Sequence, residues 1–490
     1  MINIPQTTKV LVIGGGPGGA TAATLLARAG FAVTLLEMSR FPRYHIGESL
    51  LPSMLQIMDL IGAREKFDSF GFQKKHGAFL DWGRERWPLN FGELAGGRTY
   101  SYQVTRAEFD HFMLEHARSQ GVQVFEGIEV RSVNFDGDRP VSAEYQANEY
   151  ANGSAGQTGT ISFEYLIDAS GRSGLMANRY LRNRKYHQVF QNVAIWGYWK
   201  NTDRLATGRE GDIAVSSIDN GWIWGIPLHD GTMSIGAVLH KNHLNANRGL
   251  AQSEIYQNAL QSSELMKRIT KDAEMISTVS TETDYSYSSD RYSGPGYFLI
   301  GDAACFLDPL LSSGIHLATF SAMIAAAGLT SYFAGEISET EMLSFFEKGY
   351  RQAYLRFLVF LSAFYDINRS KESYFWEAQR LTQEDVDASN LKMAFLNLVT
   401  GIRDLSDAQT NTHHYILEEM SRRIDENLNF RKDKDALNAL EGEELKSARD
   451  NARFFDSVEG FFALSETDAI DGLYIATEPS LRLMRVKEKA

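Results

Sequence analysis

The chain has 490 residues, of which 43% are hydrophobic and 23% charged, and its formal net charge is −13. This is the composition of a globular protein, so a disordered or fibrous chain is excluded, and the acidic balance argues against nucleic acid or an anionic membrane as a partner. Cys305 is the single cysteine of the sequence, which excludes an intramolecular disulfide and a thiolate zinc cluster. The N-terminus lacks an apolar signal core, and no uninterrupted apolar run reaches the roughly 18 residues of a membrane span. We therefore expect a cytoplasmic protein whose redox chemistry comes from a cofactor.

The N-terminal residues have the pattern of a dinucleotide-binding unit. An apolar strand is followed by G-x-G-x-x-G at Gly14, Gly16 and Gly19, then by an Ala/Leu-rich helix and a second apolar strand that ends in Glu37. The glycines permit a tight turn, close approach of a pyrophosphate and close packing of helix on strand. The helix N-terminus offers unpaired N–H groups to phosphates, and Glu37 is placed to accept hydrogen bonds from an adenosine ribose. We predict nucleotide binding here.

Two later strands also end in turns that carry an acidic residue. The run Tyr165–Gly171 contains Asp168, and the run Tyr297–Ala304 contains Gly301 and Asp302. A glycine–acid turn with a helix N-terminus behind it can hold a ribityl hydroxyl and present N–H groups to an electron-rich ring. Three such strand ends from distant parts of one chain resemble the glutathione-reductase-type FAD fold of flavin monooxygenases. The resemblance implies an α/β fold that binds FAD.

A predicted helix opens at Thr105. Thr105 and Glu108 have the spacing of a capping box. In flavin monooxygenases an arginine at the start of this helix meets the cofactor, so the resemblance implies that Arg106 contacts FAD. Without that resemblance, Arg106 could also be a surface residue of the helix.

The pattern changes to alternation between residues 192 and 240. Three predicted strands are joined by Asn-Gly and Asp-Gly turns and form an antiparallel sheet: Asp212–Ser217, Gly221–Pro227 and Thr232–Leu239. We divide the chain into FAD-binding segments at 1–75, 101–185 and 285–335, substrate-layer strands at 76–100, an antiparallel substrate sheet at 186–284 and a helical C-terminal region at 336–490.

Trp222, Trp224 and Ile226 lie on one face of the middle strand of this sheet, because side chains alternate along a strand. Taken alone, this pattern is typical of ordinary sheet packing. The run W-x-W-x-I-P together with the early glycine motif, however, resembles the signature of flavin-dependent halogenases.

The same resemblance implies a catalytic lysine. Halogenases of this family carry an essential lysine at the place of Lys74 and Lys75, and Lys75, two residues before Gly77, matches it better. Adjacent strand residues face opposite ways, so only one of the two can point into a site. Without the companion motifs, both would be read as solvated surface lysines.

The resemblance runs from Val10 to about Asp366 and includes G-E-S at Gly47–Ser49, D-Y-S-Y at Asp284–Tyr287 and G-D-A-A-C-F-L-D-P at Gly301–Pro309. It is most similar to the branch that halogenates phenolic or pyrrolic rings, which are often tethered to a carrier protein. By family position it implies further FAD contacts at Arg43, Ser49, Pro309, Gly314 and Ile315, and a role for Glu48 in organising the flavin site.

The implied mechanism begins with FADH2 and O2, which form a flavin hydroperoxide. Chloride or bromide attacks its outer oxygen, and the resulting hypohalous acid reaches Lys75, which hydrogen-bonds it or becomes a haloamine. An electron-rich ring then takes the halogen. Ser313 and Gly314, at a helix N-terminus, would bind the halide through N–H groups. Trp222 and Trp224 would separate the hydroperoxide from the substrate and so prevent hydroxylation.

One position departs from the tryptophan halogenases, which carry a glutamate where this chain has Leu311. An indole without that carboxylate would be poorly activated, whereas a phenol activates its own ring. Leu311 therefore favours a phenolic or pyrrolic substrate over free tryptophan. The absence of a second G-x-G-x-x-G for NAD(P)H favours a separate flavin reductase as partner, although single-component hydroxylases also lack one.

Other interpretations stay open on sequence alone: an FAD-dependent aromatic hydroxylase, a flavin-dependent reductase of isoprenoid chains, or a flavin-binding interaction protein. His414 and Glu418 have the i, i+4 spacing of metal ligands, but neighbouring charges favour a solvated face, and we predict no metal. No function is indicated for residues 370–490.

Overall fold

The computed structural model describes residues 3–82, 85–91, 100–151, 153–368 and 469–486. Its strands, in chain order, are β1 (Thr7–Ile13), β2 (Val33–Glu37), β3 (Gln73–Lys75), β4 (Gly77–Trp82), β5 (Glu85–Asn90), β6 (Ser101–Gln103), β7 (Gln123–Glu126), β8 (Ile128–Asp136), β9 (Arg139–Ala147), β10 (Thr158–Asp168), β11 (Arg184–Lys200), β12 (Ile213–Ile218), β13 (Gly221–Pro227), β14 (Met233–His240), β15 (Glu274–Met275), β16 (Ser280–Ser289), β17 (Ser293–Gly294), β18 (Tyr297–Leu299), β19 (Cys305–Phe306), β20 (Leu473–Ala476) and β21 (Arg482–Arg485). Its helices are α1 (Pro17–Arg28), α2 (Ser53–Ile61), α3 (Arg64–Asp68), α4 (Arg106–Ser119), α5 (Lys241–Ala246), α6 (Gln252–Gln261), α7 (Glu264–Ile269), α8 (Ser313–Phe333) and α9 (Glu339–Asn368).

The first sheet carries the predicted nucleotide-binding layer. Its strands follow the order β17-β18-β10-β1-β2-β7, and β8 and β9 extend it from β10. The pairs β18–β10, β10–β1, β1–β2 and β2–β7 are parallel. Val10, Leu11 and Val12 are fully buried, as expected for a strand covered on both faces. Ile13 is level with Asp168, and Asp168 with Leu299, so the three distant strand ends converge as predicted.

The second sheet is a large, mostly antiparallel layer. It has the order β19-β16-β11-β14-β13-β12-β4-β5, with β15 on β11. The predicted meander is present as β12, β13 and β14. Trp222, Trp224 and Ile226 pack into the core shared with the first sheet, whereas Ile223 packs into a second core on the opposite face. The side chains of β13 therefore alternate between the two faces of the sheet, as predicted.

Helix α8 is the central helix of the fold. Within the described residues it is long and apolar enough to span a membrane by composition, but 83% of its most apolar window is buried inside the protein. This is typical of the core helix of a soluble protein. Helix α9 follows it, as predicted for the start of the C-terminal region.

Two local predictions need correction. The helical region predicted at 336–490 ends in a hairpin, β20–β21, whose Leu483 is fixed by paired hydrogen bonds with Ser331 of α8. Thr105 does precede α4, but its hydroxyl makes no hydrogen bond, and Glu108 instead lies 3.3 Å from His229. The capping box is therefore absent. His414 and Glu418 lie outside the described residues.

Candidate active site

The turn between β1 and α1 is shaped by its glycines. Gly14 has φ +105°, and a Cβ there would lie 2.3 Å from the Ala169 carbonyl oxygen. A Cβ on Gly19 would lie 1.9 Å from the Gly14 carbonyl oxygen, so both positions require glycine. A Cβ on Gly16 would meet nothing nearer than Arg43, at 3.7 Å. The open face of the turn is therefore at Gly16, where a pyrophosphate can approach the backbone.

Glu37 is buried at this turn. Its Oε2 accepts the Gly15 N–H over 2.6 Å and its Oε1 accepts the Ser39 N–H over 2.7 Å. These bonds fix the carboxylate at the end of β2, where it faces the glycine turn. The arrangement is compatible with the predicted ribose contact, and it also gives Glu37 a structural role that the sequence did not indicate.

Asp168 and Asp302 are the acidic residues at the other two strand ends. Asp168 is fully buried and accepts N–H groups of Ser170 and Met176 over 3.0 and 2.7 Å, so it holds the turn after β10. Burial raises the pKa of the Asp168 carboxyl and also that of Asp302. Gly301, which precedes Asp302, has φ +56° and donates its N–H to Ser321 over 3.0 Å. Gly301 and Asp302 thus lie in one tight turn after β18, and the ribityl contact of Asp302 stays a prediction.

Arg106 and Arg43 share one buried carboxylate. The Arg106 guanidinium bonds both oxygens of Asp110 at 2.8 and 3.0 Å and donates to the Ile46 carbonyl over 2.6 Å. Arg43 reaches the same Asp110 at 3.2 Å. These bonds join α4 to the segment that carries Gly47. The predicted FAD contacts of Arg43 and Arg106 remain predictions, because their observed partners are protein groups.

Lys75 is 2% exposed at the end of β3. Its Nζ donates to Ser49 Oγ over 2.7 Å and to the Leu50 carbonyl over 3.2 Å, and it lies 5.3 Å from the centre of the Phe91 ring. Lys74 is exposed, with its Nζ over the Tyr100 ring at 4.7 Å. Ser49, which was predicted to contact FAD, therefore holds the lysine in this structure.

The charge state of Lys75 depends on burial and on one nearby acid. Burial lowers the pKa of the Lys75 amine to about 7, and the Asp212 carboxylate opposes that shift. Asp212 is itself buried, accepts the His76 N–H over 2.9 Å and pairs with Arg209 at 3.2 Å. Sequence reasoning missed Asp212, although it begins a predicted strand. At neutral pH, Lys75 is thus divided between amine and ammonium.

The two tryptophans of β13 form a buried pair. Their ring centres are 5.8 Å apart, and the Trp224 Nε1–H donates to Ser234 Oγ over 3.2 Å. A Cβ on Gly236 would lie 2.1 Å from the Trp224 ring, so glycine on the neighbouring strand makes room for the indole. Trp222 and Trp224 face the core shared with the FAD-type sheet.

Glu48 lies beside this pair. It is 2% exposed, its Oε1 accepts the Tyr198 hydroxyl over 2.7 Å, and its Oε2 has no hydrogen bond of normal geometry. Burial raises the pKa of the Glu48 carboxyl to about 7, opposed by the hydroxyls of Ser234 and Tyr198 and by Arg106. Burial thus brings the titration of this interior carboxyl close to neutral pH.

The predicted halide site lies at the N-terminus of α8. Pro309 opens a short 3-10 turn that ends at the half-buried Leu311. Ser312 then has φ +55°, and the buried Ser313 is the first residue of the 21-residue helix. A Cβ on Gly314 would meet nothing within 4 Å, so space is open beside the helix terminus, and Ile315 is buried behind it.

A buried histidine near the start of α8 has a structural explanation. His316 is buried, and its Nδ1 and the Ser53 hydroxyl are 2.7 Å apart. Burial lowers the pKa of the His316 ring to about 4, so the ring is neutral and packs in the core. Within the described ranges, no cluster of three or more metal-ligating side chains occurs.

The residues of the site fit FAD. The backbone at Gly16 is open to a pyrophosphate, the carboxylate of Glu37 lies beside it, and the unpartnered oxygen of Glu48 is an orphaned acceptor in the interior. Each is a group that an FAD molecule along the strand ends could contact. These three groups therefore agree with FAD, the cofactor that the fold implies.

Known proteins share both the sequence and the fold. The profile of the family described as tryptophan halogenase matches residues 9–99 and 94–416. A tryptophan 2-halogenase of Chondromyces crocatus is 43% identical over 511 residues, which covers 100% of this chain and 96% of that protein. The flavin-dependent halogenase ascD of Acremonium egyptiacum is 37% identical and covers 84% of this chain and 76% of its own length.

A solved structure agrees with these sequence relatives. The myxobacterial chondrochloren halogenase CndH, described as an FAD-dependent halogenase, has a TM-score of 0.70 and 35% identity over 83% of this chain and 93% of its own. The extent of these matches excludes chance similarity in one motif. The chain therefore belongs to the tryptophan halogenase family, and it is a flavin-dependent halogenase, an oxidoreductase that uses FAD, oxygen and a halide.

Proposed function

We propose that this halogenase transfers its halogen to an electron-rich aromatic ring through Lys75. The observation that carries the proposal is the burial of the lysine, with Nζ held by Ser49 and Leu50 and a pKa of about 7. A solvated surface lysine would have none of these features. When bound, FADH2 with oxygen and halide supplies hypohalous acid.

Lys75 can act on hypohalous acid in either protonation state. As an ammonium it donates a hydrogen bond to the acid and polarises it, and as a free amine it accepts the halogen on nitrogen. The oxygens of Ser49 and Leu50 fix the position of Nζ in both cases. Because the pKa is near 7, both forms are present at neutral pH.

The remaining groups keep the oxidant and the halide in place. Trp222 and Trp224 form an apolar wall that excludes water and separates the flavin side from the ring to be halogenated. The N–H groups of Ser313 and Gly314 bind chloride or bromide at the positive end of α8. FADH2 comes from a separate flavin reductase, as flavin-dependent halogenases require, and we place the reaction in the cytoplasm.

Two substrate classes each have one supporting observation. Leu311 stands where a glutamate would assist an indole, which favours a phenolic or tyrosyl ring, free or tethered to a carrier protein. The 43% identical relative is named a tryptophan 2-halogenase, which favours an indole. Position 2 of an indole belongs to its electron-rich five-membered ring, so attack there does not need a carboxylate at position 311. We propose both classes for testing.

The assay that tests this function combines the purified protein with a flavin reductase, NADH, FAD, oxygen and chloride or bromide. Tyrosine and tryptophan are offered free and as carrier-protein thioesters, and products are read by mass spectrometry. A product with the isotope doublet of a halogen supports the proposal and identifies the substrate class. A product that gains oxygen and no halogen under every condition would show an aromatic hydroxylase.

A further inference from the structure

Hydrogen bonds connect the buried carboxyl of Glu48 with the protein surface. Tyr198 donates its hydroxyl to Glu48 Oε1 over 2.7 Å, and the hydroxyl oxygens of Tyr198 and Tyr44 are 3.0 Å apart. Glu48 is 2% exposed, whereas Tyr44 is 56% exposed. Trp196 donates its Nε1–H to the Tyr44 oxygen over 2.6 Å, which leaves the Tyr44 hydrogen for Tyr198 or for solvent. The three hydroxyl and carboxyl groups thus form a continuous path.

The inner end of this path lies in the candidate active site. Glu48 precedes Ser49, which holds Nζ of Lys75. On its other side it adjoins Ser234, which accepts the indole N–H of Trp224. Glu48 is thus next in sequence to the residue that holds the lysine, and its carboxyl adjoins the Ser234 hydroxyl that the Trp224 indole bonds. Its Oε2 makes no hydrogen bond of normal geometry.

The proposed reaction needs a proton from solvent. For an aromatic substrate RH and a halide X⁻, the balanced reaction is RH + X⁻ + O2 + FADH2 + H⁺ → RX + FAD + 2 H2O. O2 is reduced to two waters, and both FADH2 and the halide are oxidised. The C–H bond of the substrate breaks, and the C–X bond forms with the halogen reacting as X⁺. One proton is consumed in each turnover, in a site whose walls are buried.

We propose that Glu48, Tyr198 and Tyr44 form the path by which this proton enters the active site. Glu48 gives its carboxyl proton to the site and regains one from the Tyr198 hydroxyl. Tyr198 is refilled from Tyr44, and Tyr44 from water, so each O–H bond that breaks is replaced by another. The inference rests on the proposed function, because it is that reaction which consumes the proton.

The surroundings of Glu48 bring the pKa of its carboxyl close to neutral pH. Its raised pKa, about 7, arises from burial, and Asp230 raises it further. The hydroxyls of Ser234 and Tyr198 and the cation of Arg106 oppose this rise of the pKa. A carboxyl with a pKa near the working pH can both give and regain a proton. The charged or titratable groups around it are Tyr44, Arg106, Tyr198 and Asp230.

A pH jump on the full-length protein tests the path without any reaction. The infrared C=O band of the protonated Glu48 carboxyl is identified as the band that Glu48→Gln removes, and its return after a jump from high to low pH is followed in time. Tyr198→Phe should slow that return on the order of 10²-fold. The matched control is Tyr256→Phe, a buried tyrosine on the opposite face of the same sheet, bonded to the Ile235 carbonyl, and it should leave the rate unchanged.

The outcome separates this inference from the proposed function. Equal rates of return in the wild type and in Tyr198→Phe, with both folded by circular dichroism, would overturn the path. In the reductase-coupled assay, Tyr198→Phe should also slow halogenation and raise its solvent deuterium isotope effect. If the wild type halogenates nothing but Tyr198→Phe still slows the infrared signal, the proposed function fails while the path stands.

Discussion

Backbone groups line the turn between β1 and α1, whereas side chains from distant segments meet at Lys75. At the turn, Gly14 and Gly19 approach neighbouring carbonyl oxygens so closely that a Cβ does not fit. At the lysine, Ser49, Asp212 and the strand β3 come from separate parts of the chain. The cofactor region is thus specified by local sequence, and the reactive region by the fold as a whole.

The largest effect is expected at the glycine turn, where alanine should unfold the protein more easily at Gly19 than at Gly16. Gly19→Ala puts a Cβ 1.9 Å from the Gly14 carbonyl oxygen, and we expect a loss of about 3 kcal/mol of unfolding free energy together with FAD binding. Gly16→Ala has space in the protein and a φ of −65° that alanine adopts readily. It should fold with a near wild-type Tm and yet bind FAD more weakly. Equal stability of both variants would contradict this account of the turn.

A smaller effect is expected where the tryptophan wall meets its neighbouring strand. Gly236→Ala places a methyl group 2.1 Å from the Trp224 ring, so the indole must move. We expect a loss of about 1–3 kcal/mol in urea unfolding and more uncoupled consumption of FADH2. Gly249→Ala, where no atom lies within 4 Å of the added methyl, is the control and should change neither quantity.

The smallest effect concerns the charge near Lys75. The Asp212 carboxylate raises the pKa of Lys75 towards its ordinary value, so Asp212→Asn should lower that pKa, by about one unit. The free amine would then persist to lower pH, and the limb of the pH–rate profile that follows Lys75 should move to lower pH. Chemical shifts of lysine labelled at Cε measure the same pKa without turnover.

Glu210→Gln is the matched control for this charge change. It removes a negative charge two residues away on an exposed side chain, where solvent and salt screen the interaction. The Lys75 pKa should stay where it is. A shift as large in Glu210→Gln as in Asp212→Asn would mean that net charge and not the buried carboxylate governs the lysine.

The elements with a strong local pattern could be predicted from the sequence. The three strand ends at Ile13, Asp168 and Leu299 lie side by side as expected, because buried runs and glycine turns encode them locally. The strands of the meander were predicted within a residue or two. The side-chain alternation at Trp222 and Trp224 also follows from the period of a strand.

Contacts between distant residues could not be predicted. Asp212 and Ser49 are separated from Lys75 along the chain by 137 and 26 residues (212 − 75 and 75 − 49), and neither has a local pattern that reveals the contact. Glu108 satisfied the spacing of a capping box, but it lies against His229, since tertiary contacts override local preference. Such partners depend on the complete fold.

Lys75 is the residue on which the proposed halogen transfer depends most directly. In the reductase-coupled assay, Lys75→Ala should form no halogenated product while it still binds FAD and oxidises FADH2 with oxygen, because the contacts of Lys75 do not include the glycine turn. Lys74→Ala removes the neighbouring, exposed lysine and should halogenate like the wild type. Normal halogenation by Lys75→Ala, or its loss in Lys74→Ala alone, would contradict the central claim.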